Sequence, residues 1–135
     1  METLDRMAIV VFPREPVVDW VNEITPDEPL WLDDLAMRGN IYLIPRFETL
    51  EEAEMHVEGM FDDIFCNELA DWIEDQKLWP TGRTFEMFSE WFDVLYDVVA
   101  YDTVRGDIGK QEEDLQDDSA CFFKNLLLLY FPLGR

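Results

Sequence analysis

Residues 49–75 constrain the fold of this chain more than any other stretch, because they read as one helix of about seven turns with a visible start. Thr49 stands where an N-cap belongs, its hydroxyl placed to accept a free backbone N–H of the first turn. Glu51 and Glu52 put negative charge beside the positive end of the helix dipole. Ala53, Val57, Met60, Phe61 and Ile64 recur at helical spacing and pass into Phe65, Leu69 and Trp72. So broad an apolar stripe requires a partner surface, and the helix predicts a core built around it.

Two apolar runs supply that surface. Residues 7–12 (MAIVVF), closed by Pro13, and Asn40–Ile44 (NIYLI), closed by Pro45, predict short strands. Between them Pro16 opens a short helix over 16–24 that stops before Pro26. A second short helix is predicted over 30–37, with Gly39 placed as its left-handed cap. Beyond the long helix, 76–83 form a turn-rich connector with Pro80 and Gly82, expected to be exposed. Thr84 then caps a further helix, in which Phe85, Phe88, Trp91 and Phe92 make an aromatic stripe of the kind that fills cores. Residues 94–101 (VLYDVVAY) predict a third strand by content, while Phe85, Phe88, Phe92, Leu95 and Val99 also keep helical spacing. Either form leaves Asp97 among apolar neighbours.

Near the end the composition changes. Residues 103–118 are polar and strongly charged, which predicts a mobile acidic loop, whereas 119–131 (SACFFKNLLLLYF) are apolar nearly all round. Such a segment needs cover inside the domain or against a second chain. The chain thus reads as a single α+β domain over 1–135: a small three-stranded sheet with helices packed mainly on one face and one long central helix. Were the first two strands parallel, their helical connection would cross right-handed.

Charge narrows the function. With 31 Asp and Glu against 10 Lys and Arg the net charge is −21, which repels nucleic acid and anionic membranes and favours a basic protein partner. A hydrophobic fraction of 48%, with 14% aromatic, supplies an ordinary, generous core and argues against a purely halophilic surface. Cys66 and Cys121 form no CxxC pair, so neither a disulfide framework nor a zinc site is expected, and a reducing, cytoplasmic setting fits. No signal peptide is expected, and the apolar run 126–131 is far short of the roughly 20 residues needed to span a bilayer.

Three sets of residues stand out as candidate sites. Glu51, Glu54, Glu58 and Asp62 follow at steps of three, four and four, a row of carboxylates roughly 5 to 6 Å apart along the helix that imitates the phosphates of a nucleic acid strand. Glu52, His56 and Asp63 share another face and bring together imidazole and carboxylate, ordinary ligands of one cation. Glu68 lies on the apolar stripe between Ile64 and Trp72, where a carboxylate must be paired or raised in pKa, as general acids and bases often are.

Other chemistry has little footing. No G-x-x-x-x-G-K-[ST], G-x-G-x-x-G or G-x-S-x-G occurs, the run from Asp102 fails the EF-hand pattern, and the Arg105, Gly106, Asp107 tripeptide is of a length expected by chance. No cofactor is expected. Three readings remain: a non-enzymatic cytoplasmic protein–protein interaction module, homodimeric through 119–135; an acidic nucleic-acid mimic whose row 51–62 occupies a basic DNA- or RNA-binding protein; and a carboxylate-dependent enzyme using Glu68 or the Glu52, His56, Asp63 set.

Overall fold

The computed structural model describes residues 1–35 and 38–111. Its elements in order are strand β1 (Glu2–Thr3), strand β2 (Met7–Pro13), helix α1 (Glu15–Ile24), helix α2 (Leu32–Leu35), strand β3 (Asn40–Ile44), helix α3 (Leu50–Ala70), a 3-10 turn (Gln76–Leu78), helix α4 (Phe85–Trp91), strand β4 (Phe92–Val98) and strand β5 (Tyr101–Asp102). The predicted acidic loop is described only to residue 111, and the apolar segment 119–135 lies outside the described residues. Among the described residues no helix is long and apolar enough to cross a membrane.

The β-branched run of β2 forms the centre of a three-stranded sheet in the order β3-β2-β4, and β1 pairs with β5 in a separate ribbon. All pairings are antiparallel, so the right-handed crossover that parallel strands would have required does not arise. Strand alternation then sorts the side chains. Ile9, Val11, Ile44 and Phe92 face the helices and are buried with Val17, Val21, Val57, Ile64, Phe65, Leu69 and Phe88 in one core. Val10, Ile41, Leu43 and Leu95 point to the other face, on which Ile41, Leu43 and Leu95 are exposed among the described residues.

Aromatic rings join the helices to the sheet. Phe65 of α3 meets Trp91 at 5.6 Å and Phe92 at 5.4 Å, the latter edge-on, and Phe88 lies 5.9 Å from the same ring. Helix α3 starts as the sequence indicates, the Thr49 hydroxyl accepting the Glu52 N–H, and Thr84 caps α4 through the Met87 N–H. Its end falls at Ala70, short of residue 75. There the backbone tightens, Asp71 and Trp72 donating to Glu68 and Leu69, while the Trp79 indole takes the Ile73 carbonyl at 2.8 Å. The Trp20 indole likewise binds the Leu78 carbonyl at 3.0 Å, so the connector, though largely exposed, is anchored at Leu78 and Trp79.

Two local expectations are corrected. Asp97 is exposed, not set among apolar side chains, and it takes φ 59° at a bulge where β4 spends one residue more than β2 between Leu95 and Val98. Gly39 is not a left-handed cap. Only Gly82 and Gly106 among the described glycines have positive φ, and Gly39 serves close packing, since a Cβ there would lie 2.7 Å from both the Phe12 ring and the Val10 methyl. Gly39→Ala is therefore expected to cost about 1 to 3 kcal/mol by overpacking. A urea midpoint equal to that of the unaltered chain would show that Phe12 and Val10 give way freely.

Candidate functional site

Two places carry polar groups in an organised setting. The first is Glu68, which is buried to 3% exposure on α3, as its position in the apolar stripe implied. A carboxylate so placed is tolerable only when hydrogen-bonded, and the edge strand β3 brings two donors to it. Alternation along NIYLI turns Asn40 and Tyr42 to the helix side, and both donate to Glu68 Oε2, the Tyr42 hydroxyl at 3.1 Å. The Asn40 amide also donates to Asp71 Oδ2 at 2.6 Å, and Asn67 donates to the Tyr42 oxygen at 2.8 Å. Sequence spacing alone did not single out Asn40, Tyr42 or Asp71. Their signal was a polar residue two places from Tyr42 in a strand otherwise apolar.

This network suits a structural clasp between β3 and the last turns of α3 better than proton transfer. Burial first, then the negative charge of Glu68, push the Tyr42 hydroxyl well above the ordinary tyrosine value of 10.0, so it stays a donor. Below that pH the folded and unfolded chains both keep the proton and the contribution to stability is complete. As pH rises past it the unfolded chain ionises first, so stability falls. Tyr42→Phe is accordingly expected to lose about 1 to 3 kcal/mol at neutral pH and to show a shallower alkaline decline in melting temperature. Parallel declines for the two proteins would remove Tyr42 from the account.

The second place is a groove of about 350 Å³ between α3, α4 and β4. Phe85, Phe88, Phe92, Val94 and Tyr96 provide apolar walls, while Glu51, Glu54 and Glu58 of α3 stand along one side. Tyr96 is held above its ordinary pKa by burial and by Glu54, so its ring and hydroxyl stay neutral beside the carboxylates. All four members of the carboxylate row are exposed, but their fates differ. Asp62 is forked by Arg83, with Nε to Oδ1 at 2.8 Å and Nη2 to Oδ2 at 3.3 Å, and this hydrogen bond lowers its pKa. Glu51, Glu54 and Glu58 form no ion pair among the described residues.

The structure does not gather the Glu52, His56 and Asp63 set. His56 packs half-buried against the Phe47 ring at 5.3 Å, Glu52 and Asp63 are exposed, and among the described residues no three His, Cys, Asp or Glu side chains are grouped to hold a metal ion. Cys66 is a free thiol whose pKa burial raises, 3.9 Å from Asp62, which makes it a poor nucleophile. Comparison with protein-family models, with curated proteins and with solved structures finds no significant match.

Proposed function

We propose that the protein is a non-enzymatic interaction module that holds a basic, partly apolar segment of a protein partner in the groove between α3, α4 and β4. The observation that carries this reading is the pairing of unneutralised Glu51, Glu54 and Glu58 with an aromatic floor in one concave surface. Carboxylates supply steering and register for lysine or arginine, and the half-buried rings of Phe85 and Tyr96 supply area to bury and faces on which a guanidinium stacks. A cytoplasmic setting is part of the proposal, in keeping with the free thiol of Cys66.

The nucleic-acid mimic fits the same surface less well. Phosphate imitation relies on an unbroken acidic row, and here Arg83 neutralises Asp62 while aromatic side chains flank the remaining three. The two readings separate on a peptide titration followed by fluorescence anisotropy. A peptide alternating Lys or Arg with Leu or Phe should bind more tightly than an oligolysine of equal charge and retain part of its affinity as salt rises. Equal affinities that vanish together at high salt would favour the mimic.

Position is tested by charge reversal. Glu54→Lys with Glu58→Lys should weaken the amphipathic peptide at least about tenfold, whereas Asp19→Lys with Glu23→Lys, the same spacing on exposed α1 positions, should change it little. Equal losses in both double variants would mean that general acidity alone attracts the peptide. Arg83→Ala offers a third comparison, because it frees Asp62 outside the groove at a stability cost within about 1 kcal/mol. Groove binding should be unaffected, while a longer free row would strengthen a phosphate mimic.

A further inference from the structure

We propose that the face of the three-stranded sheet opposite the helices is the docking surface for this chain's own apolar segment, residues 119–131. Among the described residues, α1, α3 and α4 pack on one face. On the other, Ile41 and Leu43 of β3 are 63% and 49% exposed and Leu95 of β4 is 54% exposed. Register brings them together, since Val10 in the central strand lies opposite Ile41 on one side and Leu95 on the other, and Ala8 lies opposite Leu43. The result is one apolar patch spanning three strands, in a chain of net charge −21 that has polar residues in abundance. A patch of that kind marks a surface that is covered in use.

Chemistry, length and tether point to the occupant. Segment 119–131 carries Lys124 as its one charged residue and is rich in Phe and Leu, so covering the sheet face with it withdraws two apolar surfaces from water at once, worth about 25 cal/mol per Å². As a helix it would be roughly 20 Å long, the length of strands of this size, which run about 17 to 23 Å. The chain leaves the sheet at β5, whose partner β1 leads directly into the Met7 end of β2. From there residues 103–118 reach up to about 50 Å when extended, ample to return along the face. The same tether favours the chain's own segment over that of a second copy, because it holds the segment at an effective concentration in the millimolar range. The groove of the preceding subsection is lined from the helix side, so this inference does not depend on that reading.

Hydrogen exchange of the full chain, read by mass spectrometry at protein concentrations about a hundredfold apart, tests it. Amides of 122–131 should exchange at least about tenfold slower than an unstructured chain, equally at both concentrations. Ile41→Lys with Leu95→Lys should abolish that protection while β2 amides keep theirs, and Leu50→Lys, at an exposed position on α3, should leave it intact. Unprotected amides in the unaltered chain, protection that survives the double variant, or protection that grows with concentration as the sedimenting mass doubles would each overturn the proposal. Should the double variant unfold, Cys66→Ser with Leu43→Cys provides a second route. A short bis-maleimide should join the new thiol to Cys121 within one chain, and a bridge between chains, or none, would overturn the proposal.

Discussion

The ring of Phe65 is the point on which this structure turns. It is wholly buried on α3 and touches Phe88 and Trp91 of α4 and Phe92 of β4, so one side chain ties the long helix to the short one and to the sheet edge. One turn further along the same stripe stands Glu68, equally inward-facing and of opposite chemistry. The helix cannot bury Phe65 and Leu69 without carrying Glu68 inside, and a carboxylate there without donors would cost several kcal/mol. Asn40 and Tyr42 offset part of that cost, and in doing so they tie the edge strand β3 to α3. The polar clasp is thus a consequence of the aromatic packing beside it.

The passage from α4 straight into β4 has a similar logic. Phe92 ends the helix in an extended conformation, with φ −136° and ψ 145°, and is itself the first strand residue, so the aromatic stripe of α4 continues into the inward face of the sheet without a loop. With Phe92 inward, Val94 and Tyr96 must also face the helices and Leu95 must face away. The bulge at Asp97 then lets the strand meet Ala8 through Val98. One register decision therefore produces both surfaces of interest: the aromatic floor beside the carboxylates of α3, and the apolar patch on the opposite face.

Local signals in the sequence were legible and long-range ones were not. Thr49 and Thr84 acted as caps because capping needs only the next three residues, and NIYLI became a strand with the expected bounds. Glu68 was seen to face inward because helical periodicity is strictly local. The early end of α3 at Ala70 is accompanied by long-range contacts that spacing does not encode: Asn40, thirty-one residues away, binds Asp71, and the Trp79 indole takes the Ile73 carbonyl. Gly39 carried a real signal that was assigned to the wrong cause, since a missing side chain serves a left-handed turn and a close approach alike. The neutralisation of Asp62 by Arg83 across twenty-one residues likewise had no trace in the spacing of the acidic row.

The placement of the cations bears on the acidic surface as a whole. In a chain of net charge −21 each arginine has many carboxylates to choose from, and those nearest the groove take its margins. Arg83 forks Asp62 beyond one end, and Arg14 approaches Asp93 at 3.8 Å. Neither reaches Glu54 or Glu58, which stand exposed a helical turn apart beside the apolar side chains of the groove. That separation of paired carboxylates at the margins from unpaired ones beside apolar side chains is the physical basis of the proposal that a ligand joining positive charge to apolar bulk occupies the groove.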